Sequence, residues 1–199
     1  MRTCSLIKVA LLIPCLLMFG GCASNTHGNC HADHLYTSSM PQINTFLTFN
    51  TQAEDAARFY TSIFPNSKIT RITRYPDLGP QGGSPFKTGS VMTVEFTLDG
   101  RAFTALNGGP QFTFTQGFSI AVLCDTQQQV DEYWDKFVAA GGTPVACGWI
   151  TDHFGVSWQI DPKILIDMIT DPKRAAKAMA AMMGMVKIDS EALKRAVGE

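Results

Sequence analysis

The 4 histidines and 6 cysteines of this 199-residue chain, whose side chains suit metal binding and acid–base or nucleophilic chemistry, are unevenly placed. Three of its 4 histidines crowd together with one cysteine near the N-terminus, and the fourth is His153. Imidazole and thiolate are the ligands that zinc prefers, so the N-terminal group has the chemistry of a metal site: His27, Cys30, His31 and His34. Nothing in the polar sequence around this group orients the four side chains, which favours a solvated segment.

A cysteine with a different role follows an apolar segment at the very start of the chain. Arg2 and Lys8 precede an apolar run from Val9 to Phe19 that is too short to span a bilayer. The run ends in Phe-Gly-Gly-Cys, which resembles the lipobox of bacterial lipoproteins. That resemblance implies a signal peptide over residues 1–21, acylation of Cys22, and an anchor in the outer membrane facing the periplasm. Plain secretion, with cleavage near Ala23, is the alternative.

Charge and composition narrow the class of protein. The formal net charge is -1, from 16 basic and 17 acidic residues, so the chain lacks the basic excess of a general nucleic-acid binder. With 45% hydrophobic and 17% charged residues, it has the composition of a globular protein. Residues 22–40 have no apolar period, and we predict a flexible tether there.

The remaining sequence repeats one pattern of elements. A β-rich run over Ile43–Phe49 precedes a capping box at Thr51–Glu54 and an apolar helical stripe. The same order returns with a strand over Phe118–Cys124, a capping box at Thr126–Gln129 and a second stripe. Each unit is followed by further predicted strands, at Lys68–Tyr75, Ser90–Leu98, Arg101–Asn107, Thr143–Ile150 and Val156–Asp161. The repeat predicts two βαβββ modules.

This duplication resembles the vicinal oxygen chelate superfamily, which includes glyoxalase I, extradiol dioxygenases and bleomycin-resistance proteins. The PhnB-like branch is the closer match, and the stretches that carry it are Ile43–Phe49, Ala57–Tyr60, Gly89–Phe96, Ala105–Pro110, Cys147–Trp149 and Gly155–Ile160. The resemblance implies an α+β domain over residues 41–163, whose modules form a curled mixed sheet around a cavity, with the helices outside. It also implies a helical extension over residues 164–199 and a homodimer.

Metal-dependent members of the superfamily hold one divalent ion with four ligands, typically His and Glu, on the first and last strands of each module. Matching the capping threonines and the hairpin glycines places those positions at Asn44, Thr104, Ser119 and Gln159. None of these side chains is an imidazole, thiolate or carboxylate, which zinc, iron and nickel require. We therefore expect no catalytic metal and no other cofactor.

The same four positions indicate a binding cavity instead. Alternation along the last strand puts Val156, Trp158 and Ile160 on one face and Gln159 on the other. A polar cluster of Asn44, Thr104, Ser119 and Gln159, with Asn107 at the rim and Trp149 in the wall, suits a small ligand with hydroxyl, carbonyl or amide groups. The alternative is that these side chains bond to one another or to water.

Two residues are weak candidates for catalysis. Glu95 is a carboxylate within an apolar strand, and burial would raise its pKa towards the range useful for proton transfer. Facing outward, it is an ordinary surface residue of the strand, and the alternation favours this orientation. His153 lies in a turn, where a lone histidine is more often solvated than catalytic.

The sequence leaves two features of the later chain open. Cys124 and Cys147 either form a disulfide, which an exported protein allows, or remain free thiols. A helical stripe of methionine and alanine after residue 171 suits packing against another subunit or docking onto the same chain.

The function we expect is therefore binding of a small molecule by an envelope-anchored, glyoxalase-like protein. An enzyme of the glyoxalase or dioxygenase type is one alternative, and it requires a metal site or an acid–base scheme through Glu95 or His153. Methyl transfer is another, because the branch carries an older ubiquinone-methyltransferase name. No glycine-rich turn follows the first strand to support that reaction. The sequence identifies no substrate.

Overall fold

A computed structural model describes residues 43–79 and 85–199. The expected signal peptide, Cys22, and the tether with its histidines and Cys30 lie outside the described residues. Within the described part, none of the helices has the length and apolar character needed to cross a bilayer.

The first module has the predicted βαβββ order. It consists of β1 (Thr45–Phe49), α1 (Ala53–Ile63), β2 (Lys68–Arg74), β3 (Val91–Leu98) and β4 (Arg101–Asn107). The strands form one sheet in the order β1-β4-β3-β2, with β1 parallel to β4 and the other pairs antiparallel. The turn between β3 and β4 has positive φ at both Asp99 and Gly100, which is the geometry that the Asp-Gly pair predicts for a hairpin.

The second module repeats this topology with shorter strands. It consists of β5 (Ser119–Cys124), α2 (Gln127–Ala139), β6 (Thr143–Pro144), β7 (Trp149–Thr151) and β8 (Ser157–Pro162), in the sheet order β5-β8-β7-β6. Strands β5 and β8 are parallel, as β1 and β4 are. The predicted α+β fold class, built from two βαβββ modules, is confirmed.

The single strand predicted over Thr143–Ile150 is wrong, because the structure divides it into β6 and β7. Cys147 and Gly148 adopt positive φ angles of 61° and 80°, which extended strands do not have. Their backbone N–H groups donate to the carbonyl oxygens of Met185 and Val186, each over 2.8 Å. The C-terminal segment therefore takes the hydrogen bonds that a continuous strand would have made within the sheet.

The predicted capping boxes have different outcomes in the two modules. Thr126 accepts a hydrogen bond from the backbone N–H of Gln129 over 3.2 Å, so the cap predicted at the start of α2 is confirmed. The side chain of Gln129 returns to the N–H of Asp125 over 2.7 Å, one residue before the N-cap. The box predicted at the start of α1 is wrong, since the N-cap residue is Gln52 and no side chain of the cap bonds to the helix. The free N–H of Ala53 instead donates over 2.8 Å to Oδ1 of Asn107, at the end of β4.

The two modules share one apolar core on the helix side of their sheets. Val156, Trp158 and Ile160 are fully buried there, as the alternation predicts. Aromatic rings join the modules: Phe64, just after α1, stacks on Trp158, with ring centroids 5.5 Å apart, and Phe59 of α1 contacts Phe137 of α2. The opposite face of each sheet carries no helix of its module, and we call it the open face.

The C-terminal extension forms three helices, α3 (Lys163–Thr170), α4 (Ala175–Met183) and α5 (Ser190–Val197). They enclose a second apolar cluster of Leu165, Met168, Ala178, Ile188 and Leu193. Gln127 at the start of α2 ties them to the second module, because its side chain bonds to the carbonyl of Ile188 and to the N–H of Ser190. The extension thus docks onto its own chain, while Met179 and Met183 of α4 remain exposed.

Candidate ligand-binding site

The two polar positions predicted in the first module form a pair. Asn44 lies just before β1, and its side-chain amide donates to the hydroxyl of Thr104 on β4 over 2.7 Å. Thr104 stands opposite Phe46 in the parallel register and is only 4% exposed, whereas Asn44 is exposed. The pair lies on the open face, since the helix-side positions of β4 are Phe103 and Ala105.

The second module contains the equivalent pair. The amide of Gln159 on β8 donates to the hydroxyl of Ser119 on β5 over 2.6 Å. Trp149 of β7 is directly opposite Gln159 in the antiparallel register, so its half-buried ring shares the open face with this pair. The structure thus brings together three of the predicted cavity residues.

An ion pair distinguishes the open face of the first module. Glu95 stands opposite Thr104 across β3 and β4, and opposite Arg71 across β2 and β3. Nε of Arg71 donates to Oε1 of Glu95 over 2.9 Å, and Nη2 contacts the same oxygen. The neighbouring carboxylate raises the pKa of the Arg71 guanidinium. Glu95 is therefore an ion-paired residue of the open face.

Within the described part of the chain, no hydrogen bond joins the pair in the first module to the pair in the second. Asn44 borders a cavity of about 490 Å³ between β1 and the connection that leads to β5. This cavity is lined by Asn44, Thr45, Phe46, Leu47, Thr113, Phe114, Thr115 and Phe118, and it includes none of the other predicted site residues. One chain therefore presents two half-sites.

The remaining predicted residues lie elsewhere. Asn107 is buried, and its amide both caps α1 and donates to the carbonyl of Val91. It borders a second cavity of about 270 Å³, together with Tyr75 and Glu54. The exposed ring of His153 packs edge-on against Phe59, with centroids 5.0 Å apart. Neither residue lies in a half-site.

A buried carboxylate that the sequence reasoning missed joins the two modules. Oδ2 of Asp152, in the turn between β7 and β8, accepts the hydroxyl of Tyr60 over 2.7 Å and the indole N–H of Trp158 over 2.9 Å. Oδ1 accepts the backbone N–H groups of Phe154 and Val156, each over 2.9 Å. Burial, and then the charge of Asp152, raise the pKa of Tyr60 well above its usual value. This network orders the interface between the modules.

The sequence also gave no signal for Asp161, two residues beyond Gln159 on β8. As a whole residue Asp161 is 7% exposed, and burial raises its pKa to about 6. The nearby thiol of Cys124 is buried as well, and its pKa is raised to about 11, first by burial and then by the charge of Asp161. Cys124 and Cys147 are both free thiols.

Comparison with known families decides the identity of the domain. Residues 41–161 match the family model described as 3-demethylubiquinone-9 3-methyltransferase. The chain belongs to this family. No curated protein matches the sequence.

Solved structures place this PhnB-like chain among its relatives. A PhnB protein from Bacillus cereus, which bears the same methyltransferase name provisionally, is 36% identical with a TM-score of 0.53. The match covers 61% of this chain and 99% of that one. A protein from Pseudomonas aeruginosa is 20% identical over 62% of this chain and 98% of its own, with a TM-score of 0.49.

The half-sites of this PhnB-like protein do not fit a transition metal. Their donors are two amides and two hydroxyls, which lack the charge and basicity that zinc, iron or nickel require, and each pair is already hydrogen-bonded. Among the residues described, no cluster of three or more His, Cys, Asp or Glu side chains is placed to hold a metal ion. What the pairs can do is exchange hydrogen bonds with a ligand that carries both donors and acceptors.

Proposed function

We propose that this protein binds a small polar organic molecule in a cup that two copies of the chain complete, without a catalytic metal. The observation that carries the proposal is the pair of equivalent half-sites, Asn44 with Thr104 and Ser119 with Gln159. Each half-site sets an amide and a hydroxyl on an open sheet face. Trp149 adds an aromatic wall beside the second half-site.

Exposed apolar side chains beside the half-sites support the homodimer. Strands β1 and β5 are edge strands, and an uncovered edge is a surface on which another chain can pair. Phe46 and Leu123 on these strands, with Phe118 just before β5, are each at least 50% exposed. A second copy would cover these side chains and bring the first half-site of one chain to the second half-site of the other.

Subunit complementation tests this arrangement. One variant, Asn44→Leu with Thr104→Val, removes the first half-site, and the other, Ser119→Ala with Gln159→Leu, removes the second. In a mixed dimer of the two variants, a cup built from both chains is intact once per dimer. We expect about half of the wild-type co-purifying ligand by mass spectrometry, because one of two cups has both half-sites. If mixed dimers carry none while wild-type dimers carry ligand, each cup belongs to one chain.

We also propose that the protein is held to the outer membrane by acylated Cys22. The apolar run before this residue and its Phe-Gly-Gly-Cys ending support the proposal. The Cys22→Ala variant is expected to leave the membrane fraction for the soluble periplasmic fraction, or to retain an uncleaved signal peptide. A variant that is cleaved and still sediments with membranes would contradict acylation.

Methyl transfer deserves a direct test because the family description names that reaction. The connection from β1 to α1 is Asn50-Thr51-Gln52, which contains no glycine, and the first free N–H of α1 is already bonded to Asn107. This turn therefore offers little room or free backbone to a nucleoside cofactor. Calorimetry with adenosyl-methionine is expected to show no binding, and a micromolar dissociation constant would favour the methyltransferase function.

A further inference from the structure

The cavity that Asn44 borders extends the first half-site along the edge of β1. Its volume is about 490 Å³, and binding sites for small molecules usually have about 300–1,000 Å³. Residues 44–47 line it one after another, although successive residues of a strand point to opposite faces. The cavity therefore follows the edge of β1 that does not pair with β4, and it has room for a molecule of one or two aromatic rings.

Three phenylalanines from separate segments give this cavity aromatic walls. Phe46 comes from β1, Phe114 from the connection between the modules, and Phe118 from the end of that connection. The ring of Phe114 meets the buried ring of Phe49 edge-on, with centroids 5.0 Å apart, which fixes this wall to the core. Phe46 and Phe118 are 56% and 50% exposed, so their rings are open to contact. Such rings bind another aromatic ring by stacked and edge-on contacts.

The polar groups of the cavity are uncharged. One N–H of the Asn44 amide donates to Thr104, which leaves the amide oxygen and the second N–H without a partner among the described residues. The hydroxyls of Thr45 and Thr113 line the same cavity. None of the described lining residues is acidic or basic, so an ionised ligand group would lose hydration there without gaining an opposite charge.

We infer that the first half-site binds an uncharged aromatic compound. The ring of this compound lies in the cavity against Phe46, Phe114 and Phe118, and a hydroxyl or amide group on the ring bonds to Asn44. The inference rests on the proposed function, because it names the class of molecule that the half-site takes. It adds the aromatic part and the neutral charge, since an amide and a hydroxyl alone would suit many polar molecules.

Three matched probes test the class of ligand by calorimetry on the purified chain at neutral pH. The compound 2-naphthol has both an aromatic ring system and a neutral hydroxyl. In 2-naphthoate an ionised carboxylate replaces the hydroxyl, and cyclohexanol keeps the hydroxyl without an aromatic ring. We expect 2-naphthol to bind at least about 10-fold more tightly than either of the others, because only it can make both kinds of contact without burying a charge.

A pair of phenylalanine variants tests the location. Phe118→Ala is expected to weaken 2-naphthol binding by about 10-fold, because it removes one aromatic wall. The matched control is Phe112→Ala, which should keep the wild-type affinity. Phe112 belongs to the same connection and is 51% exposed, but it does not line the cavity.

The oligomeric state of each variant is measured at the same concentration, because Phe118 also belongs to the apolar surface that the proposed dimer covers. If Phe118→Ala loses the wild-type oligomeric state, Thr113→Trp takes its place. This change fills the cavity from an exposed position, and we expect it to weaken 2-naphthol binding by at least about 10-fold. Its control is Gln116→Trp, at an exposed neighbouring position outside the cavity lining.

Equal binding of the three probes would overturn the inference. So would a cavity variant with the wild-type oligomeric state that binds 2-naphthol as tightly as its control. The proposed function is judged by a separate measurement, the loss of the co-purifying ligand in the half-site variants. Loss of that ligand together with equal binding of the probes would remove the aromatic class and leave the half-sites intact. Retention of that ligand by the half-site variants would instead contradict the proposed function, whatever the probes show.

Discussion

The two modules have the same topology, but their helices begin in different ways. In the second module, Thr126 caps α2 from the adjacent position in sequence. In the first, Asn107 caps α1 from the end of β4, 54 residues away from Ala53. One module therefore contains its own helix start signal, whereas the other obtains it only when its sheet is assembled.

The turns that join the last two strands of each module also differ, because one bonds within its own module and the other bonds to the opposite module. Asp99 of the first module lies in an exposed turn, and its backbone N–H bonds to the nearby Ser67. Asp152 of the second module is buried and bonds to Tyr60 of the first. The duplicated pattern thus preserved the strands and the half-sites, while the turns took on different structural roles.

The largest expected effect comes from the buried turn. Asp152→Ala leaves the Tyr60 hydroxyl, the Trp158 N–H and two backbone N–H groups without their acceptor, and we expect a loss of about 4 kcal/mol in the free energy of unfolding. Urea unfolding measures it. The matched control Asp99→Ala is expected to cost at most about 1 kcal/mol, since that side chain is exposed. Equal losses would show that the turns are equivalent after all.

Gly148→Ala tests the loop that separates β6 from β7. The added Cβ would meet Asp161 and Ile188, and φ at this position is +80°. We expect a loss of about 2–3 kcal/mol, together with faster hydrogen exchange in residues 185–190. Gly79→Ala, also at positive φ but with open space around it, controls for the backbone alone and should cost about 1 kcal/mol. A Gly148→Ala variant as stable as this control would contradict the close packing.

The caps provide a third comparison. Asn107→Ala removes the acceptor for the N–H of Ala53 and the donor to the carbonyl of Val91. We expect the free energy of unfolding to fall by about 2 kcal/mol, against about 1 kcal/mol for Thr126→Ala. Thr51→Ala should leave the stability unchanged, because the capping box that Thr51 predicts is not formed. Thermal unfolding ranks the stability of the three variants. A larger loss for Thr51→Ala than for Asn107→Ala would contradict the capping of α1 by Asn107.

The smallest effect is expected at the ion pair between Arg71 and Glu95 on the open face of the first module. Both Arg71 and Glu95 are solvent-accessible, and water and salt weaken such pairs. Arg71→Ala should therefore not measurably shift the urea midpoint at physiological salt. A clear destabilisation would mean that the open face is covered in solution, as it would be within a dimer.

Local sequence patterns predicted every strand except the divided pair β6 and β7, together with the Asp-Gly hairpin and the start of α2, because each depends on neighbouring residues. The positions of the two half-site pairs also followed from the repeat, since equivalent strands place equivalent residues. The capping by Asn107, the Tyr60–Asp152–Trp158 network and the burial of Asp161 could not be predicted. Each depends on contacts between distant segments, and Asp152 and Asp161 look like ordinary polar residues of a hairpin.

Native mass spectrometry of the protein released gently from its source tests the central claim most directly. We predict a dimer that carries an organic molecule and no stoichiometric transition metal. We further predict that Gln159→Leu remains dimeric and loses the molecule. A monomer that retains the molecule, or one equivalent of zinc, iron or nickel per chain, would contradict a ligand cup built from the half-sites of two chains.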